Sequence, residues 1–161
     1  GPSIKKGYDT AVNKFSKDLL KIVLFSIATG TPPKGTGINW EPHSPITTKK
    51  YGEHPIYYLT GTYYRAIGLF KYKDKTLVGL PRSKGRSSSG GITLGELARI
   101  LEYGTGGRGG GKSSGTIPPR PLWNPAINAV GGKDRLRSMI IKNIRKQLYG
   151  FGIRANQVRW R

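Results

Sequence analysis

Between Tyr8 and about Ala28 the apolar residues Val12, Phe15, Leu19, Ile22 and Val23 recur at the three- and four-residue intervals of one helical face. Lys14, Lys17, Asp18 and Lys21 fall mostly on the other side. The pattern predicts an amphipathic helix, with Asp9 or Thr10 as its N-cap and Thr-Gly-Thr-Pro-Pro at 29–33 as its stop. Such a stripe suits packing on a sheet better than lying on a membrane surface. The stretch 35–64 is rich in Pro, Gly and Thr, cannot hold a long helix, and is expected to be an ordered extended loop. Residues 65–81 alternate apolar and polar positions on both sides of Lys73, Asp74 and Lys75, which predicts a β-hairpin turning there. The basic Gly/Ser segment 82–91 reads as flexible. Thr93 and Glu96 then form T-x-x-E, a capping box ahead of a short helix that carries Leu97, Ile100 and Leu101 and stops at Gly104. Finally, Asn124-Pro125 can start a helix, Gly131-Gly132 weakens it, and Leu136, Met139, Ile140, Ile144 and Leu148 continue the stripe.

These elements predict an α+β fold: a small, mostly antiparallel sheet packed by an N-terminal and a C-terminal helix, with long Gly/Pro-rich loops. One domain is expected over residues 4–150, followed by a basic tail at 151–161. Gly1-Pro2-Ser3 is set aside as the scar of a cleaved tag. No apolar run reaches the roughly 18 residues of a spanning helix and no secretory leader opens the chain, so a soluble protein with no membrane partner is expected.

Charge narrows the partners. The chain has 28 Lys and Arg against 8 Asp and Glu, a formal net charge of +20. A field of that sign suits nucleic acid, an acidic protein surface or a membrane face and says nothing about fold. The acids are dispersed, so no carboxylate pair stands out for acid–base or two-metal chemistry, and a non-enzymatic role without cofactors is expected. Cysteine is absent, which removes disulfides and thiolate sites. His43 and His54, eleven residues apart in a Pro-rich loop, lack the tight spacing of metal ligands. Gly106 to Ser113 satisfies G-x-x-x-x-G-K-[ST], the phosphate-loop pattern. A phosphate loop must follow a strand and open a helix, where backbone N–H groups face the anion. This run follows a helix stop and leads into the prolines of 115–123, so it is expected to be a loop without nucleotide-hydrolysing activity.

Three separated segments resemble those of the bacteriophage virion-morphogenesis and tail-completion proteins, a family of neck and minor tail proteins. Trp40, Pro42, Ser44, Thr47 or Thr48, Gly52, Pro55, Thr60 and Gly61 match a W-x-P-L-S-x-x-T…K-x-G…P-L-x-x-T-G segment. Ala98, Ile100, Glu102, Gly104 and Thr105 match A-x-I-H-x-F-G-T. Ile117, Pro118, Arg120, Pro121, Pro125 and Ala126 match I-P-A-R-P-F-L-x-P-A. Order and spacing agree across about residues 8–150. The resemblance implies a structural subunit for head–tail joining or tail completion, in the virion after assembly in the host cytoplasm. Its implied partners are other copies in a ring, tail and connector proteins, and packaged DNA.

Several residues are candidates for partner contact. Arg135, Arg137, Lys142, Arg145 and Lys146 line the polar face of the last helix, and Arg108 and Lys112 lie in the glycine loop. Trp40, Arg120 and Trp123 sit on the rigid Pro-rich segments, where a tryptophan can dock on a neighbour or simply close the core. The competing reading is a free DNA- or RNA-binding protein that uses the same basic face with Tyr and Trp for stacking.

Overall fold

The computed structural model describes residues 1–58, 61–80, 92–105 and 117–149. The loop residues Arg108 and Lys112, the phosphate-loop-like run, the segment 82–91 and the tail 151–161 lie outside the described residues. The fold is α+β. Helix α1 (Pro2–Thr29) is followed by α2 (Pro45–Tyr51), α3 (Thr62–Ala66), β1 (Gly68–Tyr72), β2 (Lys75–Gly79), α4 (Leu94–Tyr103), α5 (Trp123–Ala129) and α6 (Gly132–Tyr149). The hairpin β1–β2 lies on one side of α1, and α6 runs along another side of it.

Helix α1 begins at Pro2, within the residues set aside as a scar and well before the apolar stripe starts. Pro2 suits the first turn, where its missing N–H costs nothing. Neither Asp9 nor Thr10 is a cap: the Asp9 carboxylate accepts from Lys5 Nζ at 2.8 Å, and the Thr10 hydroxyl donates to the Lys6 carbonyl. The helix ends as expected, at Gly30 in the left-handed conformation with φ 67°. Its most buried apolar row is Ala11, Phe15, Leu19, Val23 and Ile27. Four-residue steps advance about 40° around a helix of 3.6 residues per turn. The buried row therefore winds around α1, facing α6 at one end and the main core at the other. Where α6 crosses, Gly7 and Ala11 carry the contact, and a Cβ on Gly7 would stand 2.7 Å from the backbone N and Cα of Ile144. The Arg135–Asp18 ion pair at 2.9 Å joins the same helices lower down, so α1 and α6 run antiparallel.

The stretch 35–64 holds two short helices as well as extended chain. Ser44 caps α2 by accepting from the Thr47 N–H, with Pro45 in the first turn, and α3 starts after Gly61 at φ 72°. The hairpin pairs Tyr72 with Lys75 across a turn of Lys73 and Asp74, where Lys73 takes a φ of 53°. Helix α4 carries the expected capping box: the Glu96 N–H donates to the Thr93 hydroxyl, and the Glu96 carboxylate accepts from the Thr93 N–H at 2.8 Å. That bond, the largest contribution, together with the Thr93 hydroxyl, holds the Glu96 carboxyl below its ordinary range. Thr93→Ala should lower unfolding stability by about 1 kcal/mol, the usual worth of a threonine cap, which urea melts followed by circular dichroism will measure.

The last helix is two. Helix α5 starts at Trp123, ahead of the expected Asn124-Pro125 cap, and the chain breaks at Val130 and Gly131, whose φ is 104°. Arg135 covers the break by donating to the Val130 carbonyl at 2.7 Å. The core gathers Phe15, Leu19, Val23 and Ile27 of α1 with Trp40, Tyr57, Tyr63, Leu94, Leu101, Leu122 and Ala126. No helix among the described residues is long and apolar enough to cross a membrane.

Candidate partner-binding surface

The three segments singled out in the sequence meet at Arg120. Its guanidinium donates from Nε to the Glu41 carbonyl at 2.8 Å and from Nη2 to the Pro42 carbonyl at 3.0 Å. Its backbone N–H donates to the Leu101 carbonyl at 2.6 Å, and its own carbonyl accepts from the Tyr57 hydroxyl at 2.6 Å. Beside it, Trp40 Nε1 donates to the Pro121 carbonyl at 2.9 Å, and the Trp40 ring lies 5.2 Å from that of Tyr57. Glu102 reaches across from α4, its Oε2 accepting from the N–H groups of Leu122 and Trp123. An anionic oxygen at those first N–H groups does for α5 what a capping side chain would do. Segments 40–57, 101–105 and 117–123 are thus held in one staple of side chain on backbone.

Burial explains the chemistry of these groups. Arg120 is 5% exposed, and desolvation pulls its pKa below the ordinary arginine value. Two carbonyls accepting from the guanidinium offset that desolvation. Burial, more than the neighbouring Tyr63, pushes the Tyr57 phenol up, so it stays a neutral donor. His43 and His54 stack with ring centroids 4.3 Å apart. Burial first, then His54 and Arg120, hold His43 below the usual imidazole value.

The expected contact residues therefore separate. Of the two readings of Trp40, closing the core is the one the fold adopts, and Arg120 is corrected from a surface contact to an internal one, because the polar atoms of both bond to backbone carbonyls inside the fold and both side chains are buried. Arg135 is tied to Asp18 and to the Val130 carbonyl, so it joins α6 to α1. Arg137, Lys142, Arg145 and Lys146 are exposed on α6. Trp123 is half-buried and walls an open cleft of about 180 Å³ with Ala98, Arg99, Glu102, Tyr103 and Asn124. A surface the sequence reading missed is the outer side of the hairpin, where Phe70, Tyr72 and Leu77 are exposed. Its signal was present: residues 65–81 place apolar side chains on both faces of the ladder, more than one covered face needs.

Comparison with known proteins finds no matching family model, no matching curated protein and no matching solved structure.

Proposed function

We propose that the chain is a non-enzymatic structural subunit of a phage neck or tail, serving head–tail joining or tail completion within a ring. The observation that supports this reading is the convergence of the three segments that resemble the virion-morphogenesis family. Their matching residues Trp40, Pro42, Arg120 and Pro121 come from segments far apart in sequence, yet Trp40 donates to the Pro121 carbonyl and Arg120 to the Pro42 carbonyl within a single staple. Residues that recur together in such a family for structural reasons are expected to do this. A ring follows from the role, since a subunit that matches a rotationally symmetric tube needs a head-to-tail interface that closes. Each copy brings +20, so rings should close on an existing tail or connector surface that screens the repulsion.

The exposed cations of α6 provide the test. Arg137→Glu, Lys142→Glu and Arg145→Glu together should leave the melting temperature of the subunit within a few degrees of wild type, since none of the three is buried. The same variant should fail to complete tails that lack this protein, scored as infectious particles in vitro. Normal titres would make the face a solvated surface only. The DNA- or RNA-binding reading has its own support in the exposed Tyr149, one turn from Arg145 and Lys146. Light scattering with salt titration separates the two. A stable monomer that binds DNA tightly, with affinity falling steeply as salt rises, favours the nucleic-acid role. Rings that form on tail proteins favour the neck role.

A further inference from the structure

Among the described residues the two faces of the hairpin differ in cover. Leu69 pairs with Val78 and Phe70 with Leu77, and successive pairs of an antiparallel ladder point to opposite faces. Val78 packs against the core, whereas Phe70, Leu77 and Tyr72 are 37%, 52% and 63% exposed. A two-stranded sheet is marginal by itself, and among the described residues no third strand extends it.

The outer face also continues beyond the hairpin. A Cβ built on Gly79, on the same side of β2 as Leu77, would come 4.0 Å from Cη2 of Trp123. The indole therefore borders the base of this face and forms the wall of the cleft between α4 and α5. Tyr103, 72% exposed, closes the far side. An apolar strip runs from Tyr72 through Leu77 and Phe70 to Trp123 and Tyr103. The cleft, at about 180 Å³, is smaller than the roughly 300–1,000 Å³ of a small-molecule site and suits one inserted side chain.

The charge around the strip has one sign. Lys71, Lys73 and Lys75 surround the hairpin tip, and Arg99 stands at the cleft. Nearby carboxylates are engaged or outnumbered. Glu96 is tied to the Thr93 cap, Glu102 to the start of α5, and Asp74 sits between two lysines in the turn, within electrostatic reach of Lys5. Exposed aromatic and aliphatic side chains rimmed by cations are the composition of an anchor patch for a protein partner.

We propose that this strip docks an acidic segment of another protein, whose apolar side chains cover Phe70 and Leu77 and fill the cleft beside Trp123 while its carboxylates meet Lys73, Lys75 and Arg99. The inference rests on the reading above only in taking that protein to be a neighbour in the particle. A second copy of this chain fits the strip less well, since it would bring another +20 to an already basic surface.

The test uses fluorescence anisotropy of the whole chain with a labelled synthetic nonapeptide in which Glu alternates with Leu and Val. A peptide with Lys in place of Glu and a single-stranded oligonucleotide serve as comparisons. The Glu peptide is expected to bind, and the Lys peptide not to bind. Two double variants, Leu77→Ser with Tyr103→Ser and Lys73→Glu with Lys75→Glu, should each weaken binding at least tenfold without moving the melting temperature. All four side chains are at the surface, so neither variant threatens folding. The proposal is overturned if the Glu peptide does not bind, or if the Lys peptide binds equally. It is also overturned if the Ser variant binds like wild type, if the oligonucleotide displaces the peptide from both variants alike, or if light scattering shows a dimer that Leu77→Ser abolishes. Tail complementation is scored separately. Lost peptide binding with intact tail completion removes this surface alone, and intact peptide binding with no effect of the protein on tails removes the neck role alone.

Discussion

Gly7→Ala should destabilise the fold by about 2 kcal/mol, a fall of roughly 4–8 °C in melting temperature for a chain of this size. The sign is opposite to what helix propensity predicts, since alanine within a helix is favoured over glycine by about 1 kcal/mol. Packing decides the matter. The new methyl carbon would lie 2.7 Å from the N and Cα of Ile144 and 2.9 Å from the carbonyl carbon of Asn143, all backbone atoms of α6. A side chain could rotate away, but a helix backbone can only withdraw as a body. To reach an ordinary contact of at least 3.4 Å, α6 would retreat by about 0.7 Å at the crossing. That movement loosens Ala11 and Ile144, both buried there, and strains the Arg135–Asp18 pair. Because the clash is with backbone, Ile144→Ala should not restore the stability lost in Gly7→Ala. A melting temperature for Gly7→Ala equal to or above wild type would show that the helices do not cross as closely as described.

Arg120→Met should cost about 3 kcal/mol. Methionine fills much of the arginine volume but leaves the Glu41 and Pro42 carbonyls without their part-buried donors. Each bond to a charged donor is worth about 1.5–3 kcal/mol, and the desolvation relieved by removing the cation recovers part of the sum. Arg120→Lys should recover less than half of the loss, because one ammonium cannot reproduce the two directions of the Nε and Nη2 donors. The measurements are urea-melt midpoints and the tryptophan emission maximum, which should shift to the red as the loop bearing Trp40 loosens from the Pro121 carbonyl. Unchanged stability of the methionine variant would mean that Arg120 does not hold the three segments together.

How far these features are visible in the sequence depends on the range of the interaction that makes them. The α4 cap, the stop at Gly30 and the hairpin turn are set by neighbours within a few residues, and their signals are readable locally. The start of α1 is not, because Gly7 and Ala11 are buried through their smallness and leave no hydrophobic period to detect. Ser44-Pro45 is a readable helix start, yet the surrounding Pro and Gly composition masks so short an element. The cap of α5 comes from Glu102 in another helix, so nothing near Trp123 announces it. The α6 cations were legible as a face, but the difference between Arg135 and its neighbours is made by Asp18, 117 residues away. The hairpin's outer apolar side was written in the adjacent pairs Leu69-Phe70 and Leu77-Val78, which put apolar side chains on both faces but cannot say which face the rest of the chain will cover.

The antiparallel pairing of α1 with α6 has a consequence for the newly made chain. The strip of α1 that rests on α6 is made well before its cover, since Arg135 follows Asp18 by 117 positions. At about 5–20 residues per second, that interval is on the order of ten seconds. For that time Ala11 and the notch at Gly7 are without their mate, open to chaperones or to the same strip on neighbouring nascent chains. Slow synthesis between α1 and α6 should therefore lower the yield of this protein more than slow synthesis within α1 itself.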